Sequence, residues 1–184
     1  MKIIKKSEII GIILILFSVV LLSYLNIQIS YQKARDLQRR DDLTALSNGL
    51  EKFKNDFKNY PLSSSDGKIK ACLLEGKTTE DMKKFIGNLP ELNRPKLLNI
   101  LGVCSWGNSE LRDVSDYSIT PYLTNIPKDS LQDKGYSYLY YSDGKSFTLY
   151  GSFERKDLPE YSKDIAKLKL RCGTAICNFS KINK

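Results

Sequence analysis

The chain contains no histidine in 184 residues. That absence removes the usual general base and every catalytic triad built on imidazole, so serine and cysteine nucleophiles lack their customary partner. Cysteine is sparse as well, four residues, and no Cys-x-x-Cys pair occurs, which argues against a zinc site of four thiolates. The Gly102-Val-Cys-Ser-Trp-Gly107 stretch has glycines but lacks the lysine of a phosphate cradle. Asp41-Asp42, Asp113 with Asp116, and Ser162-Lys163-Asp164 put carboxylates and a serine together without a spacing that defines a reaction. These readings lead us to expect no enzyme, no cofactor and no bound metal.

Charge is missing from a long stretch near the start. Ile9 to Leu25 reads IIGIILILFSVVLLSYL, which as a helix covers roughly 25 Å, the low end of a membrane span. Beyond Asn26, Leu43, Leu46, Leu50, Phe53 and Phe57 recur at steps of three and four and define one helical stripe. The stripe stops at Tyr60-Pro61, because proline pushes the preceding residue out of helical conformation. A helix from near Ser7 to near Lys58 would be a rod of roughly 75 to 80 Å. After Leu22 the chain continues Ser-Tyr-Leu-Asn-Ile-Gln-Ile-Ser, with no pair of small residues for a signal peptidase, so an uncleaved anchor is expected. Lys2, Lys5 and Lys6 before the span nearly balance Lys33, Arg35, Arg39 and Arg40 after it.

The cysteines decide the orientation. Cys72, Cys104, Cys172 and Cys177 are even in number and lie after the span, which fits two disulfides in an oxidising compartment outside the cytoplasm. Four cysteines allow three pairings; proximity favours Cys172 with Cys177 and Cys72 with Cys104, with free structural thiols as the alternative.

One head of ordinary domain size remains. After Pro61, turn residues alternate with short apolar or aromatic runs, the pattern of a helix packed on a small antiparallel sheet, so the expected fold is α+β. Asp143-Gly144 between two aromatic, period-two runs predicts a hairpin. The expected organisation is a short cytoplasmic N-terminus (1–8), a membrane or filament-core helix (9–29), an amphipathic helix (30–60) and an extracytoplasmic head (61–184). Lys and Arg exceed Asp and Glu by eight, but the excess is scattered and its tightest clusters, Lys5-Lys6 and Arg39-Arg40, read as solvated surface.

Lys33-Ala-Arg-Asp-Leu-Gln-Arg-Arg-Asp-Asp-Leu43, running on to Lys58-Asn-Tyr-Pro61, resembles the type IV pilins and the type II secretion pseudopilins. A second block agrees: Asn125-Ile-Pro-Lys-Asp129, then Gly135-Tyr-Ser-Tyr-Leu-Tyr-Tyr141 and Ser146-Phe-Thr-Leu-Tyr150, look like the family's Pro-x-Asp turn and closing hairpin. The resemblance covers about half the chain. It implies a filament subunit that self-associates through its N-terminal helix, contacts the membrane and is lifted by pilus or secretion assembly machinery. Glu8, 25 residues before Lys33, stands where the family carries the glutamate that pairs with a neighbouring subunit's amine during assembly. A carboxylate in the first turn of a helix, three residues from Lys5, also has an ordinary local explanation.

The chain departs from the family at its processing point. Ile3-Ile-Lys-Lys-Ser-Glu8 offers no small residue to cut after, and the family's helix-kinking proline is replaced near Leu25. A straighter helix is expected, and a permanently anchored binding or scaffolding module is the alternative to a filament subunit. A third reading has the head meet nucleic acid or a host surface through basic residues and Tyr136, Tyr138, Tyr140 and Tyr141, although alternating tyrosines in a hairpin are more often cross-strand pairs. Some pseudopilins bind calcium after the hairpin, where Glu154, Asp157 and Glu160 lie here, but these acids lack the ligand alternation of a calcium loop.

Overall fold

A single α-helix, α1 (Lys6–Phe57), dominates the computed structural model, which describes residues 6–87 and 98–183. Its 52 residues make an unbroken rod of about 78 Å. The two halves differ in what covers them. Apolar side chains from Ile9 to Tyr31 stand exposed, and no residue of the most apolar stretch is buried. By length and composition this half can cross a membrane.

In the second half Leu43, Leu46, Leu50, Phe53 and Phe57 are all buried, so the helical spacing of the stripe is the spacing of the core. Phe53 and Phe57 stack at 4.3 Å between ring centroids. Gly49 lies on the same face, and a Cβ there would come within 2.7 Å of the Leu123 side chain, so glycine permits the loop carrying Leu111 and Leu123 to close on the helix. The helix ends as Lys58 adopts a left-handed conformation, φ 62°, with its N–H donating to the Lys54 carbonyl. Tyr60 is then buried, and its N–H donates to Gly144 O across the hairpin turn.

Three small antiparallel sheets form the head. β1 (Leu62–Ser63), β2 (Ile69–Cys72) and β3 (Gly102–Val103) make the first, in the order β1-β2-β3. α2 (Thr79–Gly87) lies between β2 and β3 in sequence; it begins with Thr78 and Asp81 bonding each other's backbone N–H, a reciprocal cap. The second sheet is built on the predicted hairpin, β4 (Leu139–Ser142) and β5 (Phe147–Gly151). Its turn is held by Asp143, whose carboxylate accepts from the N–H groups of Lys145 and Ser146. A short helix, α3 (Lys163–Lys167), capped by Ser162, and a two-stranded ribbon, β6 (Arg171–Cys172) with β7 (Ala175–Ile176), lead to β8 (Phe179–Asn183). β8 pairs with the free side of β5, giving the order β4-β5-β8.

Alternation along these strands sorts the two faces. Tyr140, Phe147, Leu149 and Phe179 point inward and are buried. Leu139, Tyr141, Thr148, Tyr150, Ser180 and Ile182 lie on the outer face. Disulfides join Cys72 to Cys104 and Cys172 to Cys177, the pairing that proximity in the sequence favours. The first ties β2 to the segment after β3, and the second closes the β6–β7 ribbon. The architecture is thus α+β: a long N-terminal helix with one half packed on a small antiparallel head.

Candidate functional site

The exposed half of α1 is an uncovered apolar surface, and it meets the head at a collar of buried charge. From Glu8 to Lys33 no charged residue intervenes. Within one turn after Lys33 the helix reaches Asp36, and one turn later Arg39; both are fully buried. Buried charges are costly unless paired and hydrogen-bonded, and here the pairing is dense.

The Arg39 guanidinium donates through Nε to Asp129 Oδ2 at 2.8 Å and through Nη2 to Asp129 Oδ1 at 3.1 Å. Its Nη1 donates to Asp36 Oδ1 at 2.8 Å and to Glu154 Oε1 at 3.0 Å. The Tyr136 ring lies beneath it, 5.3 Å from centroid to guanidinium carbon. Arg35, one turn below, grips Glu154 with two bonds of 2.6 and 2.7 Å. Asp36 accepts the backbone N–H groups of Glu154 and Arg155 at 2.9 and 3.0 Å, which fastens the segment after β5 to the helix. Three carboxylates and two guanidiniums therefore hold together α1, the turn at Asp129 and the segment after β5.

Burial works against charge on Arg39, but its bonds to Asp129, Asp36 and Glu154 outweigh that penalty and raise its pKa further. Burial likewise pushes the Glu154 carboxyl up, yet Arg35 and Arg39 together hold it below the ordinary value. Asp42, just above the collar, runs the other way. Burial raises its pKa although the Tyr138 hydroxyl donates to it at 2.6 Å.

The arrangement is a mechanical coupling. It fixes the head to the rod at the level where the apolar surface ends. The scattered charge predicts Arg39 and Arg40 as solvated surface; only Arg40 is exposed, because the helical repeat carries Arg39 to the inward face and Arg40 about 100° further round. The three acids after the hairpin are each engaged by arginine: Glu154 by Arg35 and Arg39, Asp157 by Arg155, and Glu160 by Arg40. Among the described residues no group of three or more metal-binding side chains comes together.

The other sequence candidates take structural places. Asp41 pairs with Arg40. Asp113 and Asp116 each accept from a serine two residues on, closing local turns. Ser162 caps α3. Of the four tyrosines, Tyr138 and Tyr140 are buried, the latter donating to Pro61 O, while Tyr136 packs on Arg39 and Tyr141 stands out in solvent. Glu8 lies in the first turn of the described helix, at the far end of the rod from the collar.

No protein-family model, curated protein or solved structure matches the chain. Function is therefore argued from its own geometry.

Proposed function

We propose that the protein is a structural subunit of a type IV pilus-like or type II secretion pseudopilus filament, assembling through the apolar half of α1. The observation that carries this reading is an exposed, charge-free helical rod joined by a buried ion network to a disulfide-bonded head. An uncovered apolar surface of this length has to be covered by lipid or by like helices. A filament core supplies the like helices, and the membrane holds the subunit beforehand. The ion network supports the same reading, because a subunit pulled from the membrane by one end must pass force to its head without rotating about the joint. Two disulfides fit a head outside the cytoplasm.

Glu8 is the registry charge in this mechanism. A carboxylate at the head of an apolar bundle is stable only when matched, so it sets the axial position of each neighbour. Glu8→Ala should leave the chain in membranes with a folded head and remove it from sheared surface filaments. Normal incorporation of the variant would eliminate the registry role. A permanently anchored pilin-like module is the second reading, favoured by the missing cleavage site: Ile3 to Glu8 has no small residue to cut after, and Lys5 and Lys6 stand where the family has apolar residues.

A further inference from the structure

The outer face of the β4–β5–β8 sheet is turned away from α1; Leu139 and Tyr150 on it are half-buried, with the turn at Gly67 against Leu139, while Tyr141 and Ile182 stand exposed. Tyr141 is opposite Thr148, and Tyr150 is opposite Leu139, so the two rings are diagonal neighbours on one face. Tyr141 is 66% exposed, the most of any tyrosine in the head. A groove of about 360 Å³ runs beside them, lined by Leu139, Tyr141, Tyr150, Leu170, Ser64 and Ser65, within the size range of ligand clefts. Gly67 floors it with φ 75°, and a Cβ there would strike the Leu139 side chain at 2.0 Å, so the turn bearing the two serines closes against β4 only with glycine.

Charge flanks this aromatic face on one side. Leu170, which lines the groove, lies between Lys169 and Arg171, both exposed and neither in an ion pair among the described residues. The segment from Lys163 to Arg171 carries Lys163, Lys167, Lys169 and Arg171 against one acid, Asp164, which bridges to Lys167. Lys169 is held at φ 55°, in the left-handed region that side chains rarely adopt, at the turn where α3 gives way to β6. Asp66, next in sequence to the groove-lining Ser65, is engaged by Lys68 and by the Ser64 hydroxyl. The surface thus offers two rings with Lys169 and Arg171 beside them, neither in an ion pair among the described residues, although Arg171 Nη1 donates to the Thr174 carbonyl.

We propose that this face binds single-stranded nucleic acid, with bases stacking on Tyr141 and Tyr150 and phosphates running along the Lys163–Arg171 segment. Stacking on exposed aromatic rings with cations following the backbone is how single strands are held without regard to sequence. A duplex hides its base faces and gains nothing from the rings. A sulfated glycan would satisfy the cations alone. The inference does not depend on filament assembly, because the dispersed subunit carries the whole surface.

The test uses the full chain in detergent micelles and the fluorescence anisotropy of a labelled oligothymidylate, with an equal-length duplex and heparin as competitors. Saturable binding is expected, with the single strand competing better than either. Tyr141→Ala should weaken it roughly 5- to 150-fold, the value of one stacked base, and Tyr141→Phe should retain it. Lys169→Glu with Arg171→Glu should weaken it and flatten its salt dependence. Three phosphate contacts correspond to roughly a 20-fold loss between about 50 and 200 mM salt. Far-ultraviolet circular dichroism and the emission of the buried Trp106 verify that each variant is folded. Absence of saturable binding would overturn the proposal. Binding that Tyr141→Ala leaves unchanged, or that heparin displaces as readily as the single strand, would also overturn it and mark a general polyanion surface.

Discussion

Arg39 and Asp129, 90 residues apart, form a two-pronged ion pair in which both side chains are shut off from solvent. The pair joins the long helix to the turn that follows Pro127, so the head cannot swing on the rod without breaking it. Asp129 also accepts the Leu131 N–H, which keeps its carboxylate aimed at the guanidinium.

Removing one partner leaves the other buried and uncompensated. Asp129→Ala should destabilise the head by about 3 to 5 kcal/mol, measured by denaturant unfolding followed through Trp106 emission. Exposed pairs such as Lys167 with Asp164 should cost less than about 1 kcal/mol when either residue is replaced.

Acid should attack the same collar. The folded-state pKa of Glu154 lies below its unfolded value of 4.5, so its stabilisation is complete above that pH and is lost as pH falls through the lower folded value. Asp42 has the opposite sign: its raised folded pKa costs stability while it is ionised, and acidification relieves that cost. Glu154→Gln should therefore flatten the decline in stability below about pH 4.5, seen as a shallower fall of thermal midpoint in acid. Asp42→Asn should steepen it.

The two halves of α1 should respond differently to truncation. Leu46→Ala and Leu50→Ala each remove a fully buried side chain and should cost about 2 to 5 kcal/mol of head stability. Leu14→Ala, on the exposed rod, should leave the head's unfolding curve unchanged.

Loop length ranks the disulfides. The Cys72–Cys104 bond spans 32 residues and Cys172–Cys177 spans 5. Chain entropy then assigns about 4 kcal/mol to the first and about 2 kcal/mol to the second. Paired alanine variants, compared by denaturant titration, should keep that order.

The helix and its buried stripe were legible because a 3.6-residue period survives without knowledge of the partner, and the hairpin because Asp143-Gly144 sits between alternating runs. The four tyrosines read alike from the sequence, and the structure divides them, burying Tyr138 and Tyr140 and exposing Tyr141. Arg39 was not legible as a buried ion. Asp36 is in its own helix, but Asp129 and Glu154 lie 90 and 115 residues further on, and nothing local to Arg39 marks them as partners. The closing strand β8 escaped for a related reason, since its place is set by pairing with β5 and its own residues carry weak local preferences. The short helix α2 differs: its Thr78-x-x-Asp81 cap is a local signal that went unread.

Immunogold electron microscopy with an antibody to the head, on material sheared from cells, tests the central claim most directly. The filament account predicts labelled filaments in the sheared fraction, lost in the Glu8→Ala strain. Label confined to membrane fragments, with bare filaments or none, would contradict it and leave the protein as a permanently anchored module.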